Sequence, residues 1–149
     1  MRTDSRLPRV LHVLLHLEQI REPVTSDQIG SMLNTNPSLV RRTMAGLRKA
    51  GFVTATKGHG GGWVLERPLS EISLADVYAA LGSPQLFALG QSGDAPDCLL
   101  ERAANTATSN ALEAARQTFQ AELQNVTVAD IVAPYAEEIK AFQEQRGLQ

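Results

Sequence analysis

Cationic side chains and a glycine-rich segment lie close together in the first half of the chain. The cations Arg41, Arg42, Arg48 and Lys49 are spaced so that one face of a helix presents all of them. Shortly after them comes Lys57-Gly58-His59-Gly60-Gly61-Gly62, and glycine lets a backbone approach a sugar–phosphate wall that a Cβ atom would meet. Arginine and lysine bind phosphates and guanine edges. Together these residues predict a surface that binds nucleic acid.

The uneven distribution of charge supports this interpretation. The 149 residues carry a net charge of −2. Residues 1–68 contain ten Lys and Arg against five Asp and Glu, whereas residues 69–149 contain four against eleven, so the halves carry +5 and −7. Taken singly, the cations also fit a solvated helix face and the glycines a flexible turn. Their combination in the basic half favours contact with a polyanion.

Apolar periodicity and capping residues predict three helices before the glycine-rich segment. Leucine and valine recur at helical spacing over Arg6–Arg21, which predicts an amphipathic first helix. Thr25 and Gln28 form a capping box for a short second helix. Asn36 is expected to cap a third helix with Pro37 in its first position.

The third helix is expected to bury one face and to present the other to solvent. Its predicted inward residues are Leu39, Val40, Met44 and Leu47, and its outward residues are Ser38, Arg41, Arg42, Ala45, Arg48 and Lys49. Two short strands, Phe52–Thr56 and Trp63–Glu66, form a hairpin around the glycine-rich tip, and this hairpin is called the wing below. Trp63 is interpreted as a plug that holds this hairpin against the third helix. The order of elements is typical of a winged helix-turn-helix, whose recognition helix enters the major groove of DNA.

The second half of the chain is predicted to pair with a second copy. Ser73 and Asp76 cap a helix over Leu74–Leu81, and residues 82–96 are expected to form a loop. A long helix over Asn105–Gln124 then carries an apolar seam with coiled-coil spacing, and it has too few partners in its own chain. This seam, which predicts a homodimer, consists of Leu112, Ala115, Phe119 and Leu123.

The fold class is accordingly mainly α with a small β-hairpin. We expect residues 1–81 to form a winged helix-turn-helix domain that binds DNA. Residues 82–104 are expected to be a linker loop and sensor segment, and residues 105–149 to form the C-terminal dimerisation helices, of which the first is long. Thr127 and Asp130 are expected to cap the last helix.

Three segments show a resemblance to a known family. Leu47-Arg48-Lys49-Ala50-Gly51-Phe52-Val53, followed by the glycine-rich tip and Trp63, resembles the Rrf-two (Rrf2) family of bacterial transcription regulators, relatives of IscR, NsrR and CymR. The resemblance continues through Ile72-Ser73-Leu74-Ala75-Asp76-Val77-Tyr78 and Val126-Thr127-Val128-Ala129-Asp130-Ile131-Val132, so it covers nearly the whole chain. It implies a homodimer whose long helices cross and whose two wings flank a palindromic operator in double-stranded DNA.

The resemblance also implies which residues contact DNA. By matching positions, the recognition-helix contacts are Asn36, Ser38, Leu39, Arg41 and Arg42, and the wing contacts are Lys57, Gly58, His59 and Gly60. Ser26, at the start of the second helix, is a further candidate contact. The expected function is that of a sequence-specific transcription regulator, acting as a repressor.

Cys98 marks a departure from well-known members of this family. Those members carry three cysteines before the dimerisation helix, where they bind an iron–sulfur cluster, whereas this chain has the single thiol of Cys98. It is more similar to the single-cysteine, YwnA-like branch, which has a histidine matching His12. The sequence therefore predicts no cofactor and no metal site. The alternative is an atypical cluster held by Cys98, His12 and Asp97 or Glu101 across a dimer.

Cys98 and His12 are nevertheless candidate sensor residues. Cys98 fits a small packed residue, a redox-sensing thiol whose pKa a helix N-terminus lowers, or the lining of a pocket for a small-molecule effector. His12 and His16 lie one helical turn apart, which fits a metal pair. Among flanking leucines, the same spacing also fits packed or half-exposed histidines.

Other classes of function find little support in the sequence. No Ser/His/Asp or Cys/His set, phosphate-binding loop or paired carboxylates indicates an enzyme. No apolar run approaches the ~20 residues that span a bilayer, and Met1–Pro8 lacks the apolar core of a signal peptide, so a cytoplasmic protein is expected. The alternative from another class is a winged-helix module that binds a protein and never binds DNA.

Overall fold

The helices precede and follow a single pair of strands in the part of the chain that the structure describes. This computed structural model describes residues 3–95 and 97–147, so the predicted opening segment Met1–Pro8 and the loop 82–96 lie only partly within it. The elements are α1 (Arg6–Ile20), α2 (Ser26–Met32), α3 (Pro37–Lys49), β1 (Val53–Thr56), β2 (Gly62–Leu65), α4 (Leu74–Ala80), α5 (Leu99–Gln124) and α6 (Ala136–Gly147). The two strands are antiparallel. The chain is thus mainly α with a small β-hairpin, as predicted.

Three of the helices begin where their capping residues predict. The Thr25 hydroxyl accepts a hydrogen bond from the Gln28 N–H, and the Gln28 side chain accepts one from the Thr25 N–H. Ser73 and Asp76 make the same reciprocal pair at the start of α4. Asn36 caps α3 through its side-chain oxygen. These bonds satisfy N–H groups that would otherwise lack a partner at each helix start.

The hydrophobic core lies between α1, α3, α4 and the hairpin. Its fully buried members include Leu14 on α1, Met44 and Leu47 on α3, and Val77 on α4. Leu39, which was expected to face inward with them, is 40% exposed, so that prediction is wrong. Successive helical residues point about 100° apart, and Val40 occupies the buried direction.

The chain returns to this core after the long helix. The Leu74 N–H donates to the Val126 carbonyl at 2.9 Å, and the Val128 N–H donates to the Ile72 carbonyl at 2.8 Å. Val128 and Ile72 are both fully buried. The segment after α5 is therefore packed into the same core that supports α3.

The long helix α5 starts earlier than the sequence predicted. It begins at Leu99 rather than at Asn105, with Cys98 as its N-cap residue. The preceding loop lies along its first turns, because the Asn105 side chain bonds both the N–H and the carbonyl of Ser92, at 3.0 and 2.8 Å. The end of the loop is thus attached to the helix side.

The apolar seam of α5 has a partner within the chain. The Phe119 ring packs edge-on against Tyr78 of α4, with centroids 5.5 Å apart. Leu112, Ala115 and Leu123 are half-buried on the same face. The seam therefore has a partner on α4, contrary to the expectation that the helix has too few partners in its own chain. A dimer contact along the seam stays a prediction. Periodicity identified the apolar face of the helix correctly, but it carries no information about which neighbour covers that face.

The predicted last helix is interrupted at its start. Thr127 and Asp130 do form reciprocal hydrogen bonds, but these lead into one 3-10 turn, Ala129–Ile131. A second 3-10 turn contains Pro134, which has no N–H to continue a helical ladder, and α6 starts after it. Among the described residues, no helix combines the length and the apolar character needed to cross a membrane.

Candidate nucleic-acid interface

The outward face of α3 carries the predicted cations. All six residues predicted to face outward are exposed: Ser38, Arg41, Arg42, Ala45, Arg48 and Lys49. Arg48 and Lys49 occupy the last turn, where they complement the negative end of the helix dipole. Arg41 and Arg42 therefore remain as the cations nearest the start of the helix, the part of a recognition helix that reaches base edges.

The start of α3 is shaped by three consecutive residues. The Asn36 side-chain oxygen accepts a hydrogen bond from the Ser38 N–H at 2.7 Å. Pro37 takes the first helical position, where its missing N–H leaves no donor unsatisfied. Ser38 and Leu39 are both exposed beside this cap. All of the predicted recognition-helix residues thus lie on one accessible surface.

Asp27 on α2 belongs to the same surface, and the position of its carboxylate near Arg41 was not predicted from the sequence. One of its carboxylate oxygens lies 4.0 Å from a guanidinium nitrogen of Arg41, and both side chains are well exposed. Such an exposed pair contributes about 0–1 kcal/mol, so Arg41 can exchange it for a phosphate. The carboxylate lowers the positive potential of the surface that would meet DNA.

The glycine-rich segment forms the tip of the hairpin. The Gly61 N–H donates to the Gly58 carbonyl at 3.0 Å across a tight turn. Gly58 and Gly60 have φ values of +92° and +77°, which residues with a Cβ atom rarely adopt. The turn leaves Lys57 and His59 exposed at the tip, where both were predicted to contact DNA.

The last two glycines of the segment are needed for packing inside the protein. A Cβ atom on Gly61 would lie 2.4 Å from the Thr56 carbonyl oxygen. One on Gly62 would lie 2.7 Å from the carbonyl group of Val24. The sequence predicted that this whole glycine run serves close approach to DNA. At Gly61 and Gly62 the close neighbour is the protein's own backbone.

Trp63 fastens the hairpin to the start of α2, which corrects the predicted attachment to the third helix. Its N–H donates to the Val24 carbonyl at 2.8 Å, and its carbonyl accepts from the Val24 N–H at 3.0 Å. Its indole N–H donates to the Ser26 hydroxyl at 3.0 Å. Ser26 keeps its own O–H as a donor for a phosphate. The wing and the helix-turn-helix are thereby joined into one unit.

The candidate sensor Cys98 is exposed at the N-terminal end of α5. Backbone N–H groups of Glu101 and then Leu100 stabilise the thiolate and hold the pKa of Cys98 below its usual value. The interpretation of Cys98 as a small packed residue is wrong for the single chain, because the residue is exposed to solvent.

The candidate sensor His12 faces a second histidine. Its Nε2 atom lies 2.9 Å from Nε2 of His16, one turn further along α1. His12 is exposed and His16 is half-buried. Burial, and then the charge of His12, lower the pKa of His16 below its usual value.

The metal-binding side chains of one chain do not suffice to hold an iron–sulfur cluster. Within residues 3–95 and 97–147, no three or more His, Cys, Asp or Glu side chains are grouped so that they could hold a metal ion. Cluster irons need several thiolates, or histidine and carboxylate in their place. Cys98 is the single thiol of the chain, so one copy does not fit such a cofactor.

Known proteins are similar to this chain over most of its length. The family model described as iron-dependent transcriptional regulator, Rrf2, matches residues 3–134. YwnA of Bacillus subtilis, named as a candidate HTH-type transcriptional regulator, is 30% identical over 130 residues, covering 87% of this chain and 96% of YwnA.

Solved structures share the fold. The crystal structure of a candidate DNA-binding protein has a TM-score of 0.69 at 27% identity, covering 86% of this chain and 99% of the other. A candidate transcriptional regulator from Lactobacillus plantarum has a TM-score of 0.75 at 22% identity, covering 97% and 98% of the two chains.

The region matched by the family model includes α3 and the wing, which form the candidate DNA-binding surface. The matched region contains the whole winged helix-turn-helix and the whole of α5. The relatives are transcription regulators and not enzymes, as the sequence predicted. This chain belongs to the Rrf2 family of transcriptional regulators, and it is a DNA-binding transcription regulator.

Proposed function

We propose that this regulator is a homodimeric repressor whose two α3 helices and two wings bind a palindromic operator in double-stranded DNA. The observation that carries this proposal is that Trp63, bonded to Val24 and Ser26, attaches the wing to the start of α2. Helix α2 packs against α3, which carries the exposed cationic face. A unit fixed in this way can insert a helix into the major groove while its wing contacts the adjacent backbone. Occupying the operator excludes other proteins from the same DNA, which gives repression.

The proposed DNA contacts divide into two kinds. Arg41 and Arg42, near the start of α3, are assigned to base edges and phosphates, and Lys57 at the wing tip is assigned to a phosphate. The full set of proposed contacts is Ser26, Asn36, Ser38, Leu39, Arg41, Arg42, Lys57, Gly58, His59 and Gly60.

The proposed dimer uses the exposed face of α5. None of its 26 residues, all of which the structure describes, is fully buried. About a third of a turn around the helix from the seam that packs on α4 lies a stripe of exposed, mostly small side chains: Leu100, Ala103, Ala107, Ala111, Ala114, Thr118 and Ala121. Alanines let two helices approach closely. A second copy is the occupant that the family resemblance implies, and it would cross α5 here rather than at Phe119.

Control is proposed to act on α5, either by oxidation of Cys98 at its N-terminal end or by a small molecule bound beside its second half. The Cys98 thiolate can attack hydrogen peroxide and break its O–O bond, which gives a sulfenic acid and hydroxide, and a solvent proton converts the hydroxide to water. For a small-molecule effector, a cleft of about 610 Å³ lies between the N-terminal end of α1 and the loop after α4, with Arg6, Tyr78, Phe87 and Phe119 in its lining. Either event would tilt α5 and change the distance between the two recognition helices.

The DNA contacts are tested by measuring affinity against salt concentration. We expect Arg42→Ala to weaken binding to a duplex selected by the wild-type protein, by roughly 1–3 kcal/mol if it reads a base. Lys57→Ala should weaken all sequences alike and reduce the salt slope by about one unit. Lys140→Ala on α6 removes the same charge outside this surface and should leave both quantities unchanged.

A negative result has a defined meaning. If Arg41, Arg42 and Lys57 can all be replaced by Ala without loss of duplex affinity, the proposed surface is wrong and another part of the chain binds DNA.

The redox control is tested with Cys98→Ser. Peroxide should release the wild-type protein from DNA and should not release Cys98→Ser. If neither protein is released, an effector in the cleft replaces the redox model. If both are released equally, Cys98 is not the sensor.

A further inference from the structure

Two histidines on the exposed side of α1 direct the same ring atom toward each other. The Nε2 atoms of His12 and His16 are 2.9 Å apart, and the ring centroids are 4.6 Å apart. In the neutral forms one Nε2 donates and the other accepts, because each neutral imidazole has one donor and one acceptor nitrogen. The DNA-binding function described above uses neither ring.

The helix holds this pair in place before any ligand arrives. Val10, Val13, Leu14 and Leu17 anchor α1 in the core, so the backbone that carries both histidines is fixed. The His16 ring is half-buried, which restricts its rotation, whereas His12 is exposed. A ligand can therefore reach the pair from solvent and find one of its two donors already positioned.

The separation of the nitrogens matches a pair of neighbouring metal ligands. Imidazole nitrogens bind transition metals at about 2.0–2.1 Å, so two of them lie about 2.9 Å apart at right angles around one ion and about 3.3 Å apart around a tetrahedral ion. Two imidazoles at i and i+4 on one helix are a known arrangement for binding zinc. Neutral imidazole is the form that binds a metal.

We propose that His12 and His16 bind one late first-row divalent cation, such as Ni²⁺, Cu²⁺ or Zn²⁺, through their Nε2 atoms, with water completing the coordination. Both rings then carry their proton on Nδ1. Nitrogen ligands favour these ions over Mg²⁺, which prefers oxygen. No third His, Cys, Asp or Glu joins the pair within residues 3–95 and 97–147, so water supplies the remaining positions.

The test is calorimetric titration of Ni²⁺ into untagged, full-length protein carrying Cys98→Ser, so that the exposed thiol does not compete. We expect one ion per chain, and no binding of Mg²⁺. His12→Gln and His16→Gln should each lower the Ni²⁺ affinity by about tenfold or more, since even the partners of metal ligands contribute that much. His59→Gln is the matched control, because it removes the third histidine of the chain, and it should keep the affinity.

A second measurement locates the ion directly. Diamagnetic Zn²⁺ should shift the imidazole proton resonances of His12 and His16 and leave those of His59 in place. His12 is exposed, so its replacement leaves the core intact and decides the question if His16→Gln unfolds. The proposal is overturned if His12→Gln binds Ni²⁺ as tightly as the Cys98→Ser protein without it, or if His59→Gln produces the loss. It is also overturned if millimolar Ni²⁺ gives no heat of binding and Zn²⁺ shifts neither His12 nor His16.

Discussion

The winged helix-turn-helix and the long helix α5 are stabilised in different ways. The first has a core of its own, in which Leu14, Met44 and Leu47 are fully buried. The second leaves Leu99 73% and Leu100 81% exposed and buries no residue completely along its described length. The shape of the DNA-binding surface is therefore set within one chain. In the proposed dimer, the distance between two such surfaces would depend on what covers α5.

The largest expected effect comes from the core. Leu47→Ala should lower the free energy of unfolding by about 2–5 kcal/mol, because it removes a fully buried side chain and leaves a cavity. Urea denaturation followed by circular dichroism measures this. The matched change Leu89→Ala, at a side chain that is 62% exposed, should stay within about 0.5 kcal/mol. Equal losses would show that the two regions do not differ in this way.

The next largest effect is on dimerisation, and it distinguishes the exposed stripe of α5 from the seam that packs on α4. Ala111→Glu places a charge in the proposed dimer contact and should weaken dimerisation by roughly 100-fold, or about 3 kcal/mol. Sedimentation velocity over a range of protein concentrations measures it. Gln120→Glu adds the same charge on the polar side of the helix and should leave the dimer intact.

Phe119→Ala should instead lower the free energy of unfolding, because that ring packs on Tyr78. A dimer that survives Ala111→Glu but not Phe119→Ala would reverse this assignment.

A third prediction concerns the joint between the wing and α2. Gly62→Ala forces a Cβ atom against the Val24 carbonyl group, so the hairpin must shift at a cost of about 1–3 kcal/mol. Both the free energy of unfolding and the affinity for DNA should fall. Gly90→Ala, in open space in the loop before α5, should change neither quantity measurably. Unchanged DNA affinity in Gly62→Ala would mean that the wing position does not matter for binding.

The smallest expected effect is an increase in the affinity for DNA. Asp27→Asn removes the carboxylate beside Arg41 and should tighten DNA binding by a few-fold, or about 0.2–1 kcal/mol, with the gain shrinking at high salt. Fluorescence anisotropy with a labelled duplex at two salt concentrations detects it. Glu144→Gln on α6 removes the same charge far along the chain and serves as control. Weaker binding by Asp27→Asn would show that this carboxylate orients Arg41 rather than repelling DNA.

Local chemistry explains why the DNA-binding unit could largely be predicted from the sequence. A capping box such as Thr25 with Gln28 needs residues three positions apart, and the outward face of α3 follows from helical periodicity alone. The exposure of Leu39 was ambiguous because the residue stands at the edge of the buried stripe, beside Val40. Such boundaries depend on the neighbouring helix.

The features that the sequence did not predict join residues far apart along the chain. The indole of Trp63 bonds Ser26, and the ring of Phe119 packs on Tyr78. Periodicity marks such residues as apolar or half-buried, but their partners depend on the path of the chain through space. The carboxylate of Asp27 beside Arg41 was missed for the same reason.

The burial of Val128 next to Ile72 fixes the rotation of α5 about its own axis relative to the core that supports α3. Each residue of an α-helix advances the chain by about 1.5 Å and turns it by about 100°, so the 26 residues of α5 span about 39 Å. Because the far end of α5 is bonded to the core that supports α3, inserting one residue in its middle would rotate the first half of the proposed dimer contact by about 100° relative to α3. Insertions of three or four residues, close to one whole turn, would restore that orientation. In the proposed dimer, the spacing of operator half-sites would therefore be tied to the number of helical turns in α5.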